Sequence, residues 1–305
     1  MATTPILIDT DPGIDDALAF FLACASPELD IRAVTSVAGN VGINRTTRNA
    51  AHLLALAGKG QVPVYRGADR PLRQTLATIE DIHGQNGLGG VVLPGVAPDA
   101  APGSATNALI AQLSAAAPDS LTVVLLGPQT NMALALQQRP EIAGAVRNFV
   151  VMGGSLDPEA GNATRYAEFN IHTDPEAAAI VLAAGRPMVW IPLEVARQAS
   201  VDRAWIDALR AAGRPCAIAG AAMLDFYLRA FERPYATLYD PLTVLWLIAP
   251  ELFELRTTAL EIETKDTERA GQTRFAAMPG GRVRVAASCD AEKARALLLQ
   301  RLTGL

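Results

Sequence analysis

The chain has 305 residues, half of them hydrophobic, and a net charge of −5 with both signs spread along its length. That suits one large α/β core, and without a basic run there is no partner signal for nucleic acid or an anionic membrane surface. Three widely spaced cysteines (Cys24, Cys216, Cys289) argue against a disulfide framework, and no 18-residue apolar stretch is present to span a bilayer.

The chain opens straight into an apolar run without a charged leader, so the expectation is a cytoplasmic protein built as one domain over 1–305. Residues 6–8 read as a buried strand that enters an acidic turn and then an apolar helix over 17–25. A second strand over 30–38 ends at Gly39-Asn40, a helix follows over 44–58, and a short third strand over 62–65. This βαβαβ alternation predicts an α/β fold: a mostly parallel, Rossmann-like central sheet flanked by helices. Residues 81–90 carry four glycines and are expected to form a loop around His83, followed by a connector over 97–103.

Next come a helix over 106–117, a strand over 121–126 ended by Gly127-Pro128, and a helix to about residue 138. A strand over 146–152 stops at Gly153-Gly154. After an irregular polar stretch over 161–170, Asp174-Pro175 caps a helix through 184, and a strand over 188–193 ends at Glu194. Residues 201–233 read as a helical insert broken at Gly213-Arg214-Pro215. Tyr239-Asp240-Pro241 opens another helix to 248, and the tail holds β-rich pieces over 257–263, 273–276 and 282–286 before a last helix over 291–302.

The acidic turn, Asp9-Thr10-Asp11-Pro12-Gly13-Ile14-Asp15-Asp16, packs four carboxylates into eight residues. Acids this close repel one another and burial worsens it, so a cation or bound protons must sit among them. The donors are all hard oxygens, which suits calcium or magnesium far better than zinc. Asp15 and Asp16 alone would pass as first-turn helix acids, and Asp9 or Asp11 as turn formers; four at the end of an apolar strand exceed that. An EF-hand loop does not fit, because Gly13 falls where a ligand is wanted and Ile14 where the sharp-turn glycine belongs. A haloacid dehalogenase-type phosphatase also starts with a strand and Asp-x-Asp. It would want Thr or Val at Gly13 and a lysine after a later strand, and the chain has only Lys59, Lys265 and Lys293.

Asp11, Asn40, Gly127 and Gly153 all follow apolar strands, so one crevice at the strands' carboxyl ends could gather them. Extended backbone would turn Glu168 and Asn170 the same way, with Phe169 opposite, giving a carboxylate and an amide for vicinal hydroxyls.

The acidic turn, the Met152-Gly153-Gly154 strand end with the segment from Gly161 to Asn170, and Asp240-Pro241 together resemble the nucleoside hydrolases, the inosine–uridine-preferring nucleoside N-ribohydrolase family, over most of the chain. The resemblance implies calcium-dependent hydrolysis of ribonucleosides to ribose and free base, in a homodimer or homotetramer with a small nucleoside as partner. It assigns calcium ligation to Asp11, Asp15, Asp240 and the carbonyl of Leu126, with Asp16 in the same set. Which of Asp15 and Asp16 holds the metal and which reaches the 2′-hydroxyl stays open. Asp11 is implied as the general base toward the attacking water, and Asn40, Met152, Asn162, Glu168, Phe169, Asn170 and Asp240 as substrate-binding.

One departure bears on chemistry. The family's leaving-group histidine, just before the calcium-binding aspartate, is here Tyr239, whose ordinary pKa of about 10 makes it a poorer donor. Its ring could stack on the base instead. An aromatic there leans to purines, with the base left open. His83 is the second candidate to touch the leaving group, and Tyr227, Arg229, Arg233 and Tyr235 could shape the base pocket. His52 and His172 read as structural. Three rivals stand: a calcium–ribose binder without turnover, a phosphohydrolase using Asp9, and a nucleosidase for a modified nucleoside.

Overall fold

The computed structural model describes residues 3–305. Its elements in chain order are β1 (Thr4–Thr10), α1 (Ile14–Cys24), β2 (Leu29–Ser36), α2 (Ile43–Leu56), β3 (Val64–Arg66), α3 (Glu80–His83), β4 (Ala101–Ser104), α4 (Ala105–Ala115), β5 (Leu121–Leu125), α5 (Thr130–Gln138) and β6 (Val146–Met152). They continue with α6 (Phe169–Thr173), α7 (Pro175–Ala183), β7 (Met188–Ile191), α8 (Leu193–Gln198), β8 (Val201–Asp202), α9 (Arg203–Ala211), α10 (Pro215–Ala230), β9 (Tyr235–Ala236), α11 (Tyr239–Ile248), β10 (Phe253–Ile262), β11 (Thr273–Ala277), β12 (Val283–Cys289) and α12 (Ala291–Thr303).

Ten strands form one sheet in the order β11-β10-β12-β7-β6-β5-β1-β2-β3-β4. It is parallel from β12 through β4, as expected; β10 runs antiparallel to both its neighbours. Alternation along β1 explains the two layers. Ile6 and Ile8 pack with α1, α2, α10, α11 and α12 on one face, while Leu7 packs with α4, α5 and α7 on the other. Successive strands leave β1 in one direction through β2, β3 and β4, and leave β5 in the other through β6 and β7. The order therefore reverses between β1 and β5, which opens a crevice beyond their carboxyl ends. The acidic turn follows β1 there and Leu126 follows β5.

Several expectations needed correction. The span 81–90 is not all loop: its glycine-free start joins Glu80 as the single turn α3, with acids in its first turn, and Gly84 at φ 76° ends it. The connector over 97–103 contributes the edge strand β4, paired to β3. Residues after Ile191 form α8 instead of prolonging the strand, because Pro192 withdraws a ladder donor and starts the helix. The helical insert is closed at its base by the two-stranded pair β8–β9. The tail pieces join the main sheet as its far edge.

Asn131 ties the strand ends together. Its Nδ2 donates to Asp9 Oδ1 (2.8 Å) and to the carbonyl of Ser36 (2.9 Å), and its Oδ1 accepts from the amide of Ala68 (2.9 Å). Burial pushes Asp9 up to about 7, with Asn131 and Thr35 pulling back. Asn131→Leu removes one of two side-chain donors to this buried carboxyl and strands an amide. It should cost about 3 kcal/mol in urea unfolding. A loss below about 1 kcal/mol would show that the network is not what holds these strand ends.

Candidate active site

The site starts from β1. After Thr10 the chain turns through Pro12-Gly13, and α1 begins with a capping box in which the Gly13 amide donates to Asp16 Oδ2 (2.8 Å). Asp16 also accepts from the Thr10 hydroxyl and from Asn40 Nδ2 (3.1 Å). The carboxylate of Asp11 is clamped differently. Its Oδ2 accepts from the Asn40 amide at 2.7 Å, and Asn40 Nδ2 donates to the Asp11 carbonyl at 3.1 Å. A Cβ on Gly39 would fall 2.1 Å from Asp11 Oδ2, and one on Gly127 would fall 2.3 Å from Asp11 Oδ1. Both strand-end glycines are therefore required by close approach of the Asp11 side chain.

Asp240 arrives from the far side, in the first turn of α11, and is buried. One carboxylate oxygen each from Asp15, Asp16 and Asp240 lie within 4.8 Å of one another. Burial first, then mutual repulsion, raises Asp11 and Asp240 well above the usual carboxylate range. Asp15 and Asp16 rise to about 6, again chiefly from burial. Asp15 is only half-buried, since it opens onto the cleft, whereas Asp16 lies beneath it.

Asp11 Oδ1 and Asp15 Oδ1 are buried without a hydrogen-bond partner. Orphaned carboxylate oxygens beside two more buried acids form a donor set made of oxygen alone, which fits a hard divalent cation. The Leu126 carbonyl, at the cleft floor, accepts from Asn170 Nδ2 (2.7 Å) and keeps a second lone pair.

The cleft brings together Asp15, Asn40, His83, Leu126, Met152 and Asp240 with the segment Asn162, Glu168, Phe169 and Asn170 and with Tyr239. Asp11 and Asp16 sit just under its floor. The extended backbone expected over Glu168–Asn170 is not found. Phe169–Thr173 is the short helix α6, and Glu168 is its N-cap, accepting from the amides of Asn170 (2.9 Å) and Ile171 (3.1 Å), while Asn162 Oδ1 accepts from the Phe169 amide (2.8 Å). Polar side chains here satisfy the helix's orphan donors, so the local sequence favours a turn of helix over a strand. Glu168 and Asn170 still face one cleft. Burial pushes Glu168 up to about 7 against three amide hydrogen bonds.

His83 Nδ1 accepts from the Ile14 amide at 3.0 Å, and burial lowers the imidazole to about 4. A proton on Nδ1 would break that hydrogen bond, so the ring is neutral and carries its hydrogen on Nε2. It is a hydrogen-bond donor, not an imidazolium acid. Burial also raises the Tyr239 phenol. Asp9 lies off the cleft, held by Thr35 (2.6 Å) and Asn131, which leaves the phosphohydrolase rival without a nucleophile there. His52 and His172 each contact a backbone carbonyl, of Pro94 and Ala270.

The insert supplies the outer wall: Leu224, Tyr227, Phe231 and Arg233 from the end of α10, then Thr237. Tyr227 and Arg233 were anticipated. Arg229 and Tyr235 are exposed and do not line the cleft. Leu224 and Phe231 carried no signal, since apolar residues in or at the end of a helix read as core in any sequence, and Thr237 is a single hydroxyl residue between β9 and α11 with no pattern to mark it. Asn49 was also missed; its Nδ2 donates to the carbonyls of Pro12 (3.1 Å) and Asn86 (2.9 Å), pinning the His83 loop to the acidic turn.

Comparisons with known proteins converge on one family. A family model described as inosine-uridine preferring nucleoside hydrolase matches residues 6–296. A pyrimidine-specific ribonucleoside hydrolase, RihA of Citrobacter koseri, is 41% identical over 275 residues, covering 88% of this chain and 87% of the relative. Among solved structures, the plant nucleoside hydrolase PpNRh1 superposes with a TM-score of 0.90 at 32% identity, covering 99% of both chains. A purine-preferring ribonucleoside hydrolase from Gardnerella vaginalis superposes with a TM-score of 0.91 at 29% identity, covering 99% of this chain and 98% of that one.

Proposed function

The chain belongs to the inosine-uridine preferring nucleoside hydrolase family and is a ribonucleoside hydrolase, and from that premise we propose that it cleaves the N-glycosidic bond of pyrimidine ribonucleosides in this cleft with the help of calcium. The observation that carries the reading is the pair of buried, unpartnered oxygens, Asp11 Oδ1 and Asp15 Oδ1, beside Asp16 and Asp240.

Asp11, Asp16 and Asp240 with the Leu126 carbonyl would hold the cation from beneath, and Asp15, which opens onto the cleft, would meet it from the sugar side and reach the 2′-hydroxyl. A calcium ion there supplies charge that orients the ribose and makes the attacking water more acidic. Asp11 takes that water's proton. Its Oδ2 is already fixed by Asn40, so one geometry serves the reaction. Asn162, Glu168 and Asn170 bind the remaining ribose hydroxyls, and Met152 and Phe169 close apolar surface around the ring. The sugar passes through an oxocarbenium-like transition state, as in other glycoside hydrolysis. His83 donates through Nε2 to the leaving base, and Tyr239 packs against it.

The base assignment follows the pyrimidine-specific relative at 41% identity over the purine-preferring structure at 29%. The Tyr239 ring alone leans to purines and weighs less than that difference. A cytoplasmic location and a homodimer or homotetramer belong to the same proposal; no helix among the described residues is long and apolar enough to cross a membrane.

Ribose release from a panel of purine and pyrimidine ribonucleosides, with calcium and after chelation, tests it. Uridine and cytidine should exceed inosine by about tenfold or more in kcat/KM, a difference of ~1.4 kcal/mol in transition-state binding. A preference for inosine would overturn the base assignment, and full activity in chelator would overturn the cation.

A further inference from the structure

Cleavage leaves an electron pair on the base. His83 Nδ1 already accepts from the Ile14 amide at 3.0 Å, so His83 offers the base a hydrogen bond from Nε2 and no full charge. The wall opposite contains one permanent cation among the cleft-lining residues, Arg233.

Its placement is built into the end of α10. After Ala230 the chain passes through Phe231 to Glu232 at φ 48°, the Glu232 amide donates to the Arg229 carbonyl (3.4 Å), and the Arg233 amide donates to the Leu228 carbonyl (3.1 Å). This is a Schellman end with a glutamate where glycine usually sits. The left-handed residue is strained, and the strain accompanies a tight reversal that brings Arg233 to the cleft. The guanidinium carbon lies 5.9 Å from the centre of the Phe231 ring, which itself packs against Tyr227 with centroids 5.1 Å apart and the rings tilted by 50°. Arg233 also lies close enough to the Tyr227 phenol to pull against the burial that pushes it up to about 12. Among the other arginines of the insert, Arg203 and Arg210 both hold Asp225, and Arg214 and Arg229 do not line the cleft. Arg233 has no carboxylate within 4.0 Å among the described residues, so its charge is left for something that enters the cleft.

We propose that Arg233, steadied by Phe231 and Tyr227, is a catalytic residue for the leaving-group half of the reaction, pairing with the negative charge of the departing base. The proposal rests on the nucleoside hydrolysis assigned above. In the step, the water oxygen bonds to C1′ and its proton passes to Asp11. The C1′–N bond breaks with its pair going to the base nitrogen, and the base leaves as an anion against the guanidinium, to be protonated by water on release. A pyrimidine anion spreads its charge onto ring carbonyls, which a planar set of N–H donors matches.

The experiment compares two substrates that differ in how much help the leaving group needs: uridine, and 4-nitrophenyl riboside, whose phenolate leaves unaided. Arg233→Met should lower kcat on uridine by about 100-fold and on the nitrophenyl riboside by no more than about threefold. Arg233→Lys, which keeps charge but loses the fork, should recover to within about tenfold of wild type on uridine. Equal losses on both substrates, or no loss on uridine, would overturn the proposal. Failure of the functional assignment is read separately, from wild type alone: wild type that cleaves inosine and spares uridine fails the base assignment, and the Arg233 ratio is then read on inosine.

Discussion

Asp11→Asn will lower kcat by roughly 10³- to 10⁴-fold, the range expected when a positioned base is lost. The substitution is nearly isosteric, so the fold has no reason to fail. The residue is held by the Asn40 amide on one oxygen and by bare glycine backbone on both sides, which leaves its other oxygen facing the site. An asparagine amide keeps the shape and takes no proton from water. In chelator the variant should be at least as stable as wild type, because it removes one buried charge from a repelling group whose members raise one another. Gly39→Ala should produce a comparable loss through a different cause: the new methyl would overlap Asp11 Oδ2 at 2.1 Å and displace it. Single-turnover ribose release separates chemistry from product release in both variants. Retention of a tenth or more of wild-type kcat in Asp11→Asn would sink the assignment of the base.

What sequence reveals here follows from how local each interaction is. The strand, acidic turn and helix over the first 25 residues are written in neighbouring residues, apolar run, then acids, then apolar helix, and the structure has them in that order, with the strand running from Thr4 through Asp9 to Thr10 and the helix starting earlier, at Ile14, so that it takes in Asp15 and Asp16. Asp240 and the Gly127 strand end carry similarly short signals. The segment from Asn162 to Asn170 did not, because its conformation depends on which backbone amides the side chains of Glu168 and Asn162 choose to cap. The outer wall was harder still. Leu224 belongs to a helix whose periodicity says only that one face is apolar, Phe231 caps its end, and which end reaches the cleft is decided by the turn at Glu232. The state of His83 was also illegible, since it depends on an amide 69 residues away.

Calcium should stabilise the protein by an amount that grows with pH, and the sign follows from the acids themselves. Without the ion, burial raises Asp15 and Asp16 from 3.8 to about 6. The folded protein then holds protons that the unfolded chain has released, so chelated stability falls as pH rises from about 4 through about 6. Above that window the folded state must carry the charges unpaired. Ion binding needs those carboxylates ionised, so its contribution is small at pH 5 and full at pH 8. Calcium at about a thousand times its dissociation constant contributes about 4 kcal/mol, or on the order of 5–10 °C in Tm for a chain of this size. Asp240→Asn should remove most of that difference at pH 8. It should also raise the Tm of the chelated protein, because Asp240 is pressed by Asp16, Asp15 and Asp11 together. Thermal scans of both proteins at pH 5 and pH 8, with calcium and with chelator, give all the required comparisons. A calcium shift that is equal at the two pH values would mean that the ion binds away from this cluster. A shift undiminished in Asp240→Asn would remove that residue from the ligand set and leave the other three acids to account for the site.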